Sequence, residues 1–506
     1  MAPVRITLIA VATVCTLFAA ACGNDGGEDA NGQPPTQDQS TQVPSQQQSG
    51  SLVPPPPALW AAFGDGDNDV GFALRVEPGA LEEDPWMFSL EGLWLSCIPE
   101  PTQTGWRFAE CAGGEGWLQT IEIDVPAADG EALSFKLQTL EEFSLETRLK
   151  RIPERDEPPA SANVELVWQR SRLPASCGSN SGLWAEDGVV YAACFSGIVQ
   201  ILDGATGESL GRAETALAPL GKDSSALEVT VSNDVLFVAT TGRGVVSFDV
   251  SDPTAPRQIG QFFVDDGDGS ANSVTNIHTL TLSPDGKLLF AINQSHPRSD
   301  IRIIDVSDPA NLRQVGVYLP TTSSRAYGFS HDISLEERDG KLIGYFYQLA
   351  GGFHILDATD PADVKELGRL QWPRIFSHSG WPFEANGRRY LAHADEGYDQ
   401  GLTVIDVTNM AEPSIASTFK TRDGVSIHNI RVVGTTAFIS YYLDGLRIID
   451  LSNPAQPREI GHYDTVAPED EADIFGGAWG VDLDRDLVYI SDRNSGVYAF
   501  RFTAAP

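Results

Sequence analysis

After residue 57, the chain alternates apolar and polar residues with a period of two. In one such run Ile121, Ile123 and Val125 alternate with Glu122 and Asp124. Because successive side chains of a strand point to opposite faces of a sheet, this alternation predicts half-buried β-strands. We therefore predict a small β-rich domain over residues 58–160.

From about residue 180 onward, the chain repeats a short apolar segment that ends in aspartate. The copies end at Asp203, Asp249, Asp305, Asp357, Asp406 and Asp450, and a further apolar segment, Val497–Phe500, lacks the aspartate. Successive aspartates are 46, 56, 52, 49 and 44 residues apart, which is the period of four-stranded propeller blades. This predicts an all-β fold with a seven-bladed β-propeller over residues 161–506.

Most of the repeated aspartates begin a turn, such as Asp249–Pro253 or Asp305–Pro309. An aspartate or asparagine side chain accepts hydrogen bonds from nearby backbone amides, and proline fixes φ, so both favour a reversal of the chain. Because the same turn recurs from unit to unit, we predict that these aspartates stabilise turns and take no part in catalysis.

The way the ring closes is also predictable. The last unit stops just after its third strand, whereas residues 164–168 resemble the fourth-strand segments 365–368 and 458–461. We predict that residues 163–169 complete the seventh blade. This pairing would remove two exposed sheet edges and close the ring.

Two sets of motifs resemble known families. The segments Ile301–Asp305 and Leu446–Asp450, each followed closely by Ser-Asp-Pro or Ser-Asn-Pro, look like the LVIVD repeat. The segments around His428–Ile430, Ser440–Arg447 and Gly477–Gly480 are similar to the choice-of-anchor B group. The resemblance covers about residues 180–506 and implies a surface or periplasmic β-propeller on a variable anchor. It implies no established reaction.

The N-terminus has the pattern of an export signal. One basic residue, Arg5, precedes the apolar run Ile6–Ala21, which is too short to span a bilayer. Residues 19–22 resemble the lipobox of bacterial lipoproteins, with alanine where leucine is usual, so we predict a signal peptide over 1–21 and lipidation of Cys22. An ordinary cleavage site with an incidental cysteine is the alternative.

A low-complexity segment over residues 22–57 follows the predicted cleavage site. It is rich in Gln, Ser, Gly and Asp and ends in four prolines, so it predicts a flexible, partly extended tether. Together with the lipobox, it predicts a protein anchored by lipid in the cell envelope, at the outer membrane, the periplasmic face or the cell surface.

The acidic composition excludes some partners. The net charge is −36 and the pI is about 4.4, so the folded part should repel phosphate backbones and anionic lipids. We expect no nucleic-acid partner and contact with the membrane through the anchor only.

Four cysteines, Cys97, Cys111, Cys177 and Cys194, remain after the signal peptide and Cys22 are set aside. An even number in an oxidising compartment predicts two disulfides. Proximity in sequence favours Cys97 with Cys111 and Cys177 with Cys194, although four cysteines allow three pairings.

A histidine stands near the start of four successive inner strands. His278, His331, His378 and His428 are 53, 47 and 50 residues apart, so in a propeller they should meet around the axis. The interpretation that we favour is structural, channel-lining histidines held by polar neighbours. The alternative is a transition-metal site, with Glu228 at the corresponding place in blade two and Trp479 near it in blade seven, and general acid–base use is a third interpretation.

A second candidate site is the acidic loop over residues 393–399. His393, Asp395, Glu396 and Asp399, with Trp479 contributing, are candidates for a ligand-binding loop there, because ligands often bind at loop tips. In so acidic a chain, a solvated acidic loop is the interpretation that we favour. Residues 65–69 and 265–269 suggest calcium only weakly, because both depart from the ligand spacing of a calcium loop.

The sequence identifies no catalytic residue, since it lacks a nucleophile elbow, a phosphate-binding loop and a zinc-protease motif. Our leading hypothesis is a membrane-anchored extracytoplasmic propeller that acts as a binding or scaffolding module for an envelope or extracellular protein, a glycan or a small ligand. The alternative is a metal-dependent enzyme, such as an oxidoreductase, that uses the histidine cluster.

Overall fold

The computed structural model describes residues 161–170, 177, 179–215, 225–264, 273–295, 299–320, 330–372, 375–397, 399–466 and 475–503. It also gives the backbone of eight strands between residues 58 and 151. The predicted signal peptide, Cys22, the tether and the two weak calcium segments lie outside these residues. Within the described part, no helix has the length and apolar character that a membrane span requires.

The eight strands that precede the propeller pair in sequence order, and the first also pairs with the eighth, so the sheet closes on itself. They are β1 (Ala58–Ala62), β2 (Ala73–Glu77), β3 (Trp86–Leu90), β4 (Leu93–Pro101), β5 (Trp106–Ala112), β6 (Leu118–Asp124), β7 (Ala132–Thr139) and β8 (Ser144–Arg151). These strands agree with the predicted β-rich segment. The side chains of Cys97 and Cys111 lie outside the described residues, so the disulfide between them stays a prediction.

Two strands lead into the propeller, β9 (Ser161–Ala162) and β10 (Val164–Arg170). Blades one to three contain β11 (Asn180–Glu186), β12 (Val189–Cys194), β13 (Ile198–Asp203), β14 (Ser209–Glu214), β15 (Ala226–Ser232), β16 (Val235–Thr240), β17 (Gly244–Asp249), β18 (Arg257–Phe262), β19 (Ile277–Leu282), β20 (Leu288–Asn293), β21 (Asp300–Asp305) and β22 (Arg313–Tyr318).

Blades four to six contain β23 (Asp332–Arg338), β24 (Lys341–Gln348), β25 (Gly352–Asp357), β26 (Lys365–Leu370), β27 (Ser377–Ala385), β28 (Arg388–Asp395), β29 (Leu402–Asp406), β30 (Ser414–Phe419), β31 (Ile430–Val433), β32 (Thr436–Ser440), β33 (Leu446–Asp450) and β34 (Arg458–Tyr463). Blade seven contains β35 (Ala478–Asp484), β36 (Leu487–Asp492) and β37 (Gly496–Phe502). The inner strands β11, β15, β19, β23, β27, β31 and β35 contact one another in that order, and β35 contacts β11 again. The predicted seven-bladed propeller is confirmed.

The apolar core lies between neighbouring blades. Each of the seven interfaces buries its own cluster of apolar side chains. The interface between blades four and five, for example, buries Tyr345, Tyr347 and Phe353 of blade four against Leu391 and Ile405 of blade five. Since every blade is apolar on both faces, its central strands read as continuous apolar runs, and the sheets stack around the ring.

The repeated aspartates stabilise turns, as predicted. Asp305 Oδ1 accepts the backbone amide of Ser307 at 3.1 Å, and its Oδ2 accepts a hydrogen bond from Arg313 at 2.8 Å. Asp249 makes the same pair of contacts with Ser251 and Arg257. The carboxylate therefore links the end of the third strand to the start of the fourth.

Glycines on the outer strands let neighbouring blades approach closely. A Cβ on Gly316 would lie 1.7 Å from the carbonyl oxygen of Pro361, in the turn of the next blade. Gly211 and Gly260 have the same relation to the turns of blades two and three. Blade five has Ser417 at this place instead, and its hydroxyl donates to the carbonyl of Pro454 at 2.6 Å.

The ring closes as the sequence predicts. Strand β10 pairs antiparallel with β37, so residues 164–170 form the outer strand of blade seven. The short strand β9 pairs with β34 and adds a fifth strand to blade six. Trp168 of β10 also donates to the carbonyl of Gly204 in blade one at 2.9 Å, which ties the first and last blades together.

One predicted disulfide falls within the described residues and is confirmed. Cys177 and Cys194 are joined, with Cα atoms 5.3 Å apart. The bond attaches the segment before blade one to the end of β12.

Candidate functional site

The inner strands share one position, near the start of each strand, whose side chain faces the centre of the ring. In blades one, two, three, five and seven, a shift in strand register marks a β-bulge there, and bulges re-aim side chains. We call the equivalent residues of the seven blades the channel ring. They are Ser181, Leu227, His278, His331, His378, His428 and Trp479.

The five aromatic members of the channel ring contact one another in blade order. The ring centroids lie 4.3 Å apart for His278 and His331, 4.0 Å for His331 and His378, and 4.3 Å for His378 and His428. Trp479 follows, with its ring centroid 4.1 Å from that of His428. The structure thus brings the four predicted histidines together as one group, the histidine arc, with Trp479 at its end.

Hydrogen bonds to backbone carbonyls fix the tautomers of two of these histidines. His331 Nδ1 lies 3.2 Å from the carbonyl oxygen of His378, and His428 Nδ1 lies 2.6 Å from that of Trp479. Because a carbonyl only accepts, both Nδ1 atoms donate, which leaves the Nε2 of each neutral ring as an acceptor. His278 Nε2, 2.8 Å from His331 Nε2, is therefore the donor of that pair.

Burial keeps the histidine arc neutral. It lowers the pKa of His278 to about 4 and holds the pKa of His331, His378 and His428 well below the usual value. An imidazolium would lose its hydration in this site, and the neighbouring imidazoles add a smaller effect in the same direction for the last three. Neutral imidazoles offer lone pairs to a metal or a proton.

Glu396 joins the histidine arc, although the sequence analysis assigned it to the ligand-binding loop. One carboxyl oxygen lies 3.5 Å from His378 Nε2, and the other accepts the hydroxyl of Tyr442. Burial raises the pKa of Glu396 to about 8. One donor atom each from His331, His378 and Glu396 lie within 4.8 Å of one another.

Glu228 lies one residue away from its predicted place. The channel ring in blade two contains Leu227, and Glu228 corresponds instead to Asp332 of blade four. The predicted position was found by counting back from the second strand across the hairpin turn, and the length of this turn differs between blades. The turn contains only Asn233 and Asp234 in blade two, but residues 284–287 in blade three. Glu228 therefore faces the channel in the next layer down and is not part of the histidine arc.

A cavity of about 350 Å³ begins at that next layer and extends toward the turns that end the inner strands. Its polar walls include three carboxyl groups, those of Glu186, Glu228 and Asp332. Glu228 reaches toward blade one, where a Cβ on Gly182 would lie 2.1 Å from its Oε1. The glycine at that place therefore leaves the room that this side chain occupies.

Arg431 provides the positive charge of the cavity. Its guanidinium lies 4.6 Å from the ring centroid of Trp381 and 5.7 Å from that of Trp184. Arg431 Nε also donates to Asp482 at 3.1 Å. Both tryptophans and Asp482 thus hold this cation on one side of the channel.

Burial raises the pKa of the carboxyl groups around the cavity. The pKa of Glu228 rises to about 8 and that of Asp332 to about 7, while those of Asp482 and Glu186 also rise. The positive charge of Arg431 opposes the effect in Glu228, Asp332 and Asp482, but burial is the larger cause.

Among the described residues, no hydrogen bond joins the side chain of Asp332 to the imidazole of His331, so Asp332 is not the polar neighbour that holds this ring. Its carboxylate accepts the amide of Ile333 at 2.6 Å. The hydroxyl of Thr279 donates to the carbonyl of His331 at 2.7 Å. The imidazoles of the arc are thus held by each other and by backbone carbonyls of the next blade.

The predicted loop over residues 393–399 is largely not an exposed loop. His393 and Asp395 lie at the end of β28 and are fully buried, where His393 Nε2 pairs with the hydroxyl of Ser377 at 2.8 Å. Asp399 is held by an ion pair with Lys420 at 2.7 Å. The prediction of an exposed, loop-tip site is therefore wrong for His393 and Asp395, because the strand continues through them.

Comparisons with known proteins agree with this architecture. The LVIVD repeat matches residues 223–263, 298–320, 394–421 and 426–465. No curated protein matches the chain in sequence.

Two solved structures are similar to it. One is the computationally designed Ika8 protein, with 9% identity and a TM-score of 0.44, covering 67% of this chain and 99% of that protein. The other is a catalytically inactive histidine-to-alanine variant of virginiamycin B lyase from Staphylococcus aureus with quinupristin, with 13% identity and a TM-score of 0.47, at the same coverage of 67% and 99%. The strand topology and the repeat matches identify the chain as a seven-bladed β-propeller that carries LVIVD repeats.

Proposed function

We propose that this protein is a binding module that holds a small organic cation in the cavity of its central channel. The observation that carries the proposal is the lining of that cavity, where carboxyl groups outnumber cations. Glu186, Glu228 and Asp332 line it together with one cation, Arg431. That cation is already paired with Asp482.

The charge balance favours a positive ligand. Within the described residues, no ion pair involves Glu228 or Asp332, and both half-buried side chains line the cavity. A buried carboxylate is unstable without a compensating cation. A bound ammonium group would supply that compensation, and the net charge of −36 would draw it toward the protein.

The size and the aromatic walls fit a ligand with an aliphatic body. A volume of about 350 Å³ is near the lower end of the range for small-molecule sites. The indoles of Trp184 and Trp381 offer apolar surface beside the carboxyl groups. A diamine with a short methylene chain matches both features.

The experiment is calorimetric titration with putrescine (1,4-diaminobutane). We expect saturable binding that Glu228→Gln weakens at least tenfold, which corresponds to about 1.4 kcal/mol. Glu165→Gln is the matched control, because Glu165 is exposed on the outer strand β10, and it should leave binding unchanged. Equal affinity in the Glu228→Gln variant, or binding of a neutral disaccharide without binding of putrescine, would overturn the proposal.

We further propose that the propeller is displayed from the cell envelope by a lipid on Cys22. The signal-like residues 1–21, the lipobox-like residues 19–22 and the tether through residue 57 support this. Radiolabelled palmitate should be incorporated into the wild-type protein and lost in Cys22→Ser, which should leave the membrane fraction. An unlabelled wild-type protein would refute the anchor but would leave the ligand site in the channel untouched.

A further inference from the structure

We propose that the opposite end of the channel holds one divalent first-row transition metal, bound by His331, His378 and Glu396. This site is independent of the proposed organic cation, because its donors lie in the channel ring and on the loop after β28, whereas the cavity begins one layer further along the inner strands. Two imidazoles and one carboxylate leave coordination positions open for water or a ligand.

The donor atoms are close enough to be gathered by one ion. They lie within 4.8 Å of one another, whereas donors around an ion at about 2.1 Å are separated by roughly 3–4 Å. Side-chain rotations of about an ångström therefore complete the site. His378 is fully buried, and its Nδ1 has no hydrogen-bond partner among the described residues, so this ring is not locked in its present orientation.

The surroundings of His331 have the arrangement that metal-binding histidines require. Its Nδ1 donates to the carbonyl of His378, which leaves Nε2 as the acceptor atom of the ring. This Nε2 accepts from His278 Nε2 at 2.8 Å, and a bound metal would take the place of that hydrogen bond. Thr279 donates in turn to the carbonyl of His331 and fixes that segment of backbone. A ligand histidine whose second nitrogen donates to a carbonyl is oriented in advance for the metal.

His428 repeats this arrangement two blades further along. Its Nδ1 donates to the carbonyl of Trp479, and the hydroxyl of Ser379 donates to the carbonyl of His428. The Nε2 of His428 is thereby left as a further acceptor beside His378, whose ring centroid is 4.3 Å away. His428 therefore offers a third nitrogen donor, which would be the fourth ligand in all.

The donor types also suit a transition metal. The histidine arc offers imidazole nitrogens and Glu396 offers a carboxyl oxygen, while Tyr442 donates to the other oxygen of Glu396 and holds it in place. A bound metal would replace the proton of this carboxyl group, as metal binding generally does. Imidazole and carboxylate donors together suit zinc, iron and similar ions better than calcium or copper(I), because calcium prefers oxygen donors and copper(I) prefers sulfur donors.

The test is metal content and cobalt binding of the full-length protein purified without chelator. Plasma mass spectrometry should find about one equivalent of a first-row metal in the wild type, or one equivalent after dialysis against Zn²⁺. Co²⁺ should give visible d–d absorption that saturates at one equivalent. Less than about 0.2 equivalents of metal with no cobalt spectrum would overturn the proposal.

His378→Gln and Glu396→Gln are the informative variants, because both keep the volume and polarity of the side chain. Each should weaken Zn²⁺ binding at least tenfold, as expected for the loss of one ligand. His462→Gln is the matched control, since His462 pairs with Glu459 at 2.8 Å on an outer strand away from the channel. Stoichiometric metal retained in both channel variants would place the ion elsewhere and refute the site.

Folding and the proposed organic cation are monitored separately. Near-ultraviolet circular dichroism identifies a variant that has lost its fold, and in that case cobalt absorption of the wild-type protein alone decides the outcome. Putrescine binding should persist in His378→Gln, and metal binding should persist in Glu228→Gln. The metal site and the organic-cation site can therefore be refuted independently of each other.

Discussion

Glu228 should make the stability of the propeller fall as the pH rises. Its pKa is about 8 in the folded protein, against an ordinary value of 4.5, and burial is the main cause. Between these two pH values the folded state keeps a proton that the unfolded state has released. Stability is therefore lost progressively from about pH 4.5 to pH 8 and stays reduced above it.

The size of the effect follows from the shift in pKa. A difference of about 3.5 pH units at about 1.36 kcal/mol per unit gives an upper bound of roughly 5 kcal/mol. The side chain is only half-buried against the cavity, so water and relaxation reduce this value, and we expect about 1–3 kcal/mol. Glu228→Gln imitates the protonated form and should recover this amount at pH 9 while changing nothing at pH 4.

The assay is guanidinium denaturation of the wild type and Glu228→Gln at unit steps from pH 4 to pH 9. Asp305→Asn provides a control of opposite sign, because hydrogen bonds from Ser307 and Arg313 lower the pKa of Asp305. That variant should be less stable than the wild type throughout this range. The difference should vanish only when the pH falls through the lowered pKa of Asp305, so for this pair of proteins the series is extended below pH 4. The same dependence of stability on pH in the wild type and in Glu228→Gln would refute the reasoning.

Three further predictions concern the framework. Gly316→Ala should lower the free energy of unfolding by about 1–3 kcal/mol, because its Cβ would lie 1.7 Å from a backbone oxygen. Ser417→Ala at the equivalent place of blade five should lower it by about 1 kcal/mol, the value of one hydrogen bond. Denaturant midpoints of the two variants are compared, and equal losses would contradict the close approach of the blades at Gly316. Trp168→Ala should lower the free energy of unfolding by about 2–4 kcal/mol, because it removes the contact between β10 and blade one. A loss below about 1 kcal/mol would show that this contact does not stabilise the closed ring. Changing Cys177 and Cys194 to serine should lower the free energy of unfolding by about 3 kcal/mol, given a sequence separation of 17. If the wild-type protein had the same melting temperature under reducing and oxidising conditions, the disulfide would be contradicted.

The fold was predictable because its determinants are local and repeated. Asp305 and its equivalents mark the end of each third strand, and the same turn follows most of them. The closure by β10 was predictable as well, because its sequence resembles the other outer strands. Six of the seven copies share the aspartate, so errors in one unit could be checked against the next.

The candidate site was predictable only in part. The four histidines occupy equivalent positions and could be found by spacing alone. Glu228 was misplaced by one residue because turn lengths differ between blades. The place of Glu396 and Tyr442 beside the histidine arc could not be predicted, since their contact joins the loops of two blades and depends on how the blades pack. His393 was predicted to lie on an exposed loop because the end of β28 is rich in polar residues.

The cavity also depends on the assembled ring. Trp184, Trp381 and Arg431 come from blades one, five and six, and nothing in their local sequence indicates that they meet. Their approach follows from the equivalent place that all three occupy on the inner strands.

The most direct test of the central claim is a crystal structure of the protein soaked with putrescine. The account predicts density for the diamine inside the central channel, with an ammonium group within hydrogen-bond distance of Glu228 and the methylene chain against Trp381. Density confined to the outer surface of the propeller, or an empty channel at saturating putrescine, would contradict the claim that the channel is the binding site.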